Sequence, residues 1–507
     1  MKKNLLTYLA AALAAYPTSS TLATPVATSG EFRLNTTTSG NQDNVRVAWQ
    51  PGGFVTSWDG TGASLNVFTS GFTNAGVATI AQRNVNFFLP GTQRTSAIAA
   101  RPDGSYVVAF EDDAEDDAQP VVAFRRFDAA GQPQGINGSV GPADRGRQRF
   151  PDVAQLPGGN FAVVWNESVL VGNQTAFQIF SQGGQTVTEK IVVNTSAPGA
   201  PNPTKIAADG LGRLIVVWEA TNLDQTQKTI AARIFSGTGV ALTEKFVVKT
   251  DRDNDVRFPS VAADAGGNFV VVWETVVPDA GPFTIAARRF NASAEPIGVE
   301  FAVGTGLGAD QTRPVVAMGP DQTFVVAFEA EDDPNSSTHG VFLQQIDFVT
   351  GVPIGTTVRA NEDTVGDQAK PAITVGADGR LVVVWQTQEP TDEALVHDLN
   401  GRTFTLLALP PGDVVTPGAR PTLIVKGRSR RLTSKAKVRI RGRAADDQGV
   451  AAVEFKTRGK FRAGPIRGKE RWTLRLRVKA RRTTIKFRAV DEAGQFSKIQ
   501  RVVVRRR

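Results

Sequence analysis

Seven polar residues recur at one fixed place in a pattern. Asp59, Glu111, Asn166, Glu219, Glu274, Glu329 and Gln386 each directly follow an aromatic residue that ends an apolar run. Carboxylates and carboxamides alike accept hydrogen bonds. If the runs surround a common axis, these side chains form a ring able to hold a cation or sugar hydroxyls. A polar residue is also what a buried strand needs where it emerges into solvent, and repeat symmetry alone would produce the same series.

Other chemistry is thinly represented. Two acidic clusters, Asp112, Asp113, Glu115, Asp116, Asp117 and Glu331, Asp332, Asp333, occupy corresponding loops of two repeats. Ca²⁺ favours oxygen ligands of this kind, but neither cluster has the ordered ligand spacing of a calcium loop, and no cofactor is expected. His339 and His397 are the only histidines and sit in different repeats, which gives no local support to a two-histidine metal site or a Ser-His-Asp triad. With 0 Cys, thiol chemistry, disulfides and cysteine-based metal sites are excluded. The Asp103-Gly104 and Asp378-Gly379 turns lack the Ser and the Trp spacing of a sialidase-type S-x-D-x-G-x-x-W box. No catalytic residue is assigned.

The elements that must position the series are the apolar runs themselves: Phe54 to Trp58, Tyr106 to Phe110, Phe161 to Trp165, Leu214 to Trp218, Phe269 to Trp273, Phe324 to Phe328 and Leu381 to Trp385. Their terminal aromatics are 52 to 57 residues apart, a period that marks a repeat architecture. In the fifth unit four strands are expected, Ser260 to Ala263, Phe269 to Trp273, Thr284 to Phe290 and Glu300 to Val303, separated by turn residues such as Asp264, Gly266 and Gly267. Val270, Val271 and Val272 are apolar on consecutive positions, which requires cover on both faces of the strand. Seven such sheets packed between neighbours give an all-β, seven-bladed β-propeller over residues 31–410. Glu31 to Thr37, EFRLNTT, reads as a detached fourth strand that completes the last blade and closes the ring; Thr403 to Leu409 competes for that place.

PSVAADAGGNFVVVWET at Pro259 to Thr275 and IAARRFNASAEPIG at Ile285 to Gly298 resemble a family of bacterial extracellular repeats. The resemblance implies a secreted or surface location more than an activity. The Gly- and Asp-rich calcium-binding nonapeptide of some members is missing here.

Residues 411–420 read as a linker, rich in Pro and Gly. After it, residues 421–507 alternate apolar and basic positions with period two, placing Lys437, Arg439, Arg441, Arg475, Arg477, Lys479, Lys486 and Arg488 opposite a core on a positive sheet face. RAADDQGVAAVEF, Arg443 to Phe455, and TTIKFRAVDEAGQFS, Thr483 to Ser497, resemble bacterial immunoglobulin-like domains, which implies a β-sandwich acting as a spacer or adhesive module. From Arg420 to Arg507 there are 29 Lys+Arg against 6 Asp+Glu, leaving 28 against 43 in the rest: an acidic body with a basic tail domain. Such a face suits lipopolysaccharide, acidic polysaccharide or extracellular DNA, with salt-sensitive affinity; solubility or docking on the acidic body are the bland alternatives. Nothing suggests sequence-specific nucleic-acid binding.

Lys2 and Lys3 precede an apolar stretch, Leu5 to Ala15, and small residues offer cleavage after Ala14 or Ala23, so residues 1–23 read as a secretory signal peptide. The stretch is about half the roughly 20 residues of a membrane span. The expectation is a secreted or periplasmic, non-catalytic binding or scaffold protein for an anionic surface polymer. A polysaccharide-active hydrolase or lyase on the same scaffold is the alternative.

Overall fold

The computed structural model describes residues 24–406 apart from the stretches 62–64, 88–90, 114–119, 142–146, 170–171, 195–203, 222–227, 250–254, 277–281, 305–306, 308–309, 332–337 and 390–395; beyond them it describes the backbone of eight strands between Thr422 and Arg506. The proposed signal segment and linker lie outside the described residues. No described helix is long and apolar enough to cross a membrane.

Residues 26–405 form seven antiparallel sheets, a seven-bladed propeller. Blade 5 shows the pattern: inner strand Asp255–Ala263, second strand Phe269–Val276, third strand Thr284–Phe290 and outer strand Pro296–Val303, hydrogen-bonded in that order. Inner strands lie against the inner strands of the neighbouring blades all the way round, the seventh against the first. The expected strands are present, with inner and outer ones extended at their N-terminal ends.

The apolar second strands explain the ring. Phe269, Val271 and Trp273 pack into a core shared with Ile215 and Val217 of blade 4, while Val270 and Val272 pack into one shared with Val316 and Phe324 of blade 6. Each strand thus supplies two seams, one per face, and burying a side chain such as Trp273 contributes roughly 2–3 kcal/mol. A single blade leaves both faces bare, so the ring must close.

Closure is made by the N-terminus. The third strand of blade 7, Val396–Thr405, pairs with Val26–Ala27 and Phe32–Arg33, in register Val26↔Thr405 and Phe32↔Gly401. Leu34, 1% exposed, then fills the seam between blades 7 and 1 with Trp58 and Val384. Of the competing candidate, Thr403 to Leu409, the residues Thr403 to Thr405 belong to that third strand and pair with Arg380 to Val382, and 407–409 lie outside the described residues.

Six inner strands carry the same defect. The register with the second strand slips at Asp43/Arg46, Arg94/Ala97, Arg149/Asp152, Arg257/Ser260, Thr312/Val315 and Ala369/Ala372. One residue in each bulge, Asn44, Thr95, Phe150, Phe258, Arg313 or Lys370, has φ of 50 to 55°. A bulge leaves its amide without a ladder partner, and the partner it finds defines the site below. The corresponding stretch of blade 4 lies outside the described residues.

Beyond the propeller, the eight strands make two four-stranded sheets, one containing Thr422–Lys426, Lys437–Ala445, Arg471–Arg477 and Ile466–Arg467, the other Ser429–Leu432, Gln500–Arg506, Arg482–Asp491 and Val450–Lys456.

Candidate functional site

The seven residues expected to form a ring encircle one end of the propeller, but not as open ligands. Asp59, Glu111, Glu274, Glu329, Asn166 and Gln386 are at most 5% exposed. The carboxylates reach across the seam and accept the orphaned bulge amide of the next blade: Asp59 from Thr95, Glu111 from Phe150, Glu219 from Phe258, Glu274 from Arg313 and Glu329 from Lys370, at 2.5 to 2.8 Å. At these five bulges the preceding blade's carboxylate satisfies the N–H; before the blade 1 bulge, at Asn44, the ring residue is the carboxamide Gln386.

The same carboxylates hold cations on the inner strands. Arg94 Nε donates to Glu111 at 3.1 Å, Arg257 Nε to Glu274 at 2.5 Å, and Arg313 lies 3.4 Å from Glu329. At the closing seam the arrangement changes: Gln386 contacts His397 at 2.7 Å, and His397 Nδ1 lies 2.8 Å from Asp43, which also faces Lys370 at 3.6 Å. In blade 3 Asn166 turns to the hydroxyls of Thr175 and Thr204. His339, in blade 6, contacts Asp367 of blade 7 at 3.3 Å. The two histidines therefore serve different seams.

Deeper in the channel, charged residues of the neighbouring blades 3 and 4 face one from blade 1. Lys205 of blade 4 lies 3.9 Å from Asp152 of blade 3, whose carboxylate also accepts the Ile206 amide at 3.1 Å. Enclosure by protein lowers the Arg46 pKa, against the attraction of Asp152 and Asp59 and with the repulsion of Arg313. Burial likewise lowers Lys205, which feels Asp152 and Arg46. Blade 1 adjoins none of blades 3, 4 and 6, so Arg46 acts on Asp152, Lys205 and Arg313 across the axis, and these groups face the channel.

Burial acts on the ring in the opposite sense, because it disfavours the charged carboxylate. It pushes the Asp59 carboxyl up to about 6 and that of Glu219 up to about 7, despite the amides they accept, and raises Glu329. Arg149 at the mouth and Arg46 below it have no carboxylate within salt-bridge distance among the described residues, and burial holds the carboxyls of Asp59 and Glu219 above the usual carboxylate range. Phe150 and Phe258, partly exposed, stand on the same bulges, and Arg257 lies 3.8 Å from the ring centroid of Phe283.

The opposite end is built otherwise. A cavity of about 360 Å³ between blades 2 and 3 is lined by Arg101, Tyr106, Arg126, Gln155 and Gln182. Both terminal nitrogens of Arg126 are engaged there by the carbonyls of Gln182 and Gln134.

Of the acidic clusters, Asp112 accepts from Gln93 and is raised by burial, while Glu115, Asp116, Asp117, Asp332 and Asp333 lie outside the described residues. No group of three metal-ligating side chains occurs among the described residues. The basic residues of the C-terminal part do not share one sheet, as expected from the sequence, but divide between two. Lys437 pairs with Arg477 and Arg439 with Arg475 in one, with Arg441 in the same strand; Lys486 and Arg488 pair with Lys456 and Glu454 in the other; Lys479 lies outside the described residues.

The inner-strand cations Arg46, Arg94, Arg149, Lys205, Arg257, Arg313 and Lys370 were not singled out by sequence reasoning. Their signal was the repeated Pro: Pro151, Pro259, Pro314 and Pro371 each follow the bulge residue directly. Proline has no N–H to lose and is tolerated where a ladder breaks.

No protein-family model and no curated protein matches the sequence. Among solved structures, the chain is similar to a protein of unknown function from Dyadobacter fermentans, with 11% identity and a TM-score of 0.47 over 75% of this chain and 98% of that one. It is also similar to the polysaccharide lyase Uly1, with 10% identity and a TM-score of 0.46 over 74% and 92%. The β-propeller domain of the Trilobed protease from Pyrococcus furiosus matches with 8% identity and a TM-score of 0.43 over 71% and 94%. These likenesses concern the fold alone.

Proposed function

We propose that this is an exported, non-catalytic binding protein whose propeller engages the carboxylate or sulfate groups of an acidic polysaccharide at the channel mouth. The observation that carries this reading is the charge of the channel: Arg46 and Lys205 converge on the axis against Asp152, with Arg313 near, in a chain whose body is acidic overall. Partly enclosed cations attract anions more strongly than exposed ones, because solvent screens them less. The ring residues enter as the frame that fixes the inner strands and aims their arginines.

The two C-terminal sheets are read as an immunoglobulin-like sandwich that adds loose, salt-sensitive attachment to lipopolysaccharide or another anionic surface polymer. The resemblance of the repeats to bacterial extracellular proteins and the leader pattern of residues 1–23 support export.

A catalytic reading rests on Glu219, whose carboxyl near 7 would suit a general acid. One experiment separates the two. The full chain is incubated with an array of acidic and neutral glycans. Retention of an acidic glycan at unchanged length supports binding, and its conversion to shorter products, lost in Glu219→Gln, supports a hydrolase or lyase. Equal retention of neutral glycans contradicts the charge-based reading.

A further inference from the structure

We infer that Arg149 is an anion subsite created by the loss of its blade's own carboxylate, and that it receives one carboxylate or sulfate group of the acidic glycan. The inference rests on the binding function proposed above and locates it.

Blades 2, 3 and 5 place an arginine immediately before the bulge, and each stands directly opposite the ring residue of the second strand: Arg94↔Glu111, Arg149↔Asn166 and Arg257↔Glu274. In blades 2 and 5 the arginine Nε donates to that carboxylate, at 3.1 and 2.5 Å. In blade 3 the same atom, Arg149 Nε, is buried with no hydrogen-bond partner. Asn166 cannot substitute: it is one methylene shorter, uncharged, and committed through Nδ2 to Thr175 at 3.1 Å and Thr204 at 3.0 Å.

The nearby described carboxylates are taken. Glu111 holds Arg94 and the Phe150 amide, and Asp152 holds Lys205 and the Ile206 amide. A repeat that twice solves the same local problem with a glutamate has left one guanidinium un-neutralised at the mouth. The planar donor fork of arginine matches a carboxylate or sulfate, and Phe150 beside it offers a partly exposed ring to a sugar's apolar face.

Asn166→Glu rebuilds the pattern of blades 2 and 5 and so places an internal competitor on Arg149. The test measures affinity of the full chain for a short oligogalacturonate and for its neutral galactose counterpart, in the parent, Asn166→Glu and Arg149→Gln. The expected result is a loss of about tenfold or more for the acidic oligomer in both variants, the scale of one charge-assisted contact, with melting temperature unchanged or raised in Asn166→Glu. Parent-like affinity in both variants overturns the subsite while leaving acidic-glycan binding by the propeller intact. Failure of the parent to prefer the acidic oligomer overturns the binding function itself. If Asn166→Glu fails to fold, Arg149→Gln carries the same two outcomes.

Discussion

The two ends of the propeller use charge for different purposes. At the end remote from the mouth, arginines reach into the next blade and donate to backbone carbonyls. Arg213 bonds Gly267 and Ala292 while its Nε holds Asp209, and Arg289 bonds Phe348 and Val349. At the mouth the arginines meet carboxylates instead, the carboxylates meet amides, and Arg149, with Arg46 below it in the channel, is left over. A carbonyl is part of the backbone and is always present. A carboxylate is a side chain that one substitution can remove, so only the mouth lets a repeat protein create a binding site without losing its frame.

This contrast predicts a graded series of effects. The largest is expected for Glu274→Ala, which strands the Arg313 amide and Arg257 together. Urea unfolding should show a loss of roughly 2–4 kcal/mol, the cost of leaving the bulge amide unpaired and losing the charge-assisted bond to a partly exposed Arg257. A loss below about 1 kcal/mol would mean that the interblade bonds are not what fixes the mouth. At the other end, Arg213→Ala should cost roughly 2 kcal/mol through its lost carbonyl bonds and the Asp209 carboxylate left behind. It should leave affinity for acidic glycans at the parent value, and weakened binding would blur the division between the ends.

Glu219 gives an effect of similar size with a definite sign. Its folded-state pKa, raised to about 7 from 4.5, means that the neutral form fits the fold. Stability from this group is complete below about pH 4.5 and is lost as pH rises through 7, because the folded state must then ionise a partly buried acid. Glu219→Gln should therefore flatten the decline between pH 4 and 8 and raise stability at pH 8 by about 2 kcal/mol; thermal melts across that range provide the check, and a parent-like slope would contradict the assignment. The smallest stability effect is expected for Arg149→Gln, within about 0.5 kcal/mol of the parent, because no carboxylate depends on it.

Much of the frame was legible in the sequence because the repeat makes each blade solve the same problem. Val270, Val271 and Val272 demanded cover on both faces, and Glu31 to Thr37 stood one strand ahead of the first full unit; the structure covers the valines on both faces and pairs Phe32–Arg33 with the last blade. The ring positions were legible as a series, yet their use was not. Whether Glu274 serves a ligand or an amide depends on the bulge at Arg313, and a bulge is a register event that composition does not record. The channel cations were hidden for a related reason. Arg46, Asp152 and Lys205 are distant in sequence, and Arg46, from a blade that adjoins neither of the other two, faces them only once the ring has closed.

The most direct test of the mouth as an anion-binding site is calorimetric titration of the full chain with a short oligogalacturonate, comparing the parent with an Arg46→Gln/Arg149→Gln double variant at low and moderate salt. Binding by the parent at both salts, with a loss of at least about tenfold in the double variant, is the predicted result, since enclosed charges are screened less than the exposed basic tail. Equal affinity of the two proteins, falling together as salt rises, would place the binding on the C-terminal sheets and contradict the role assigned to the channel.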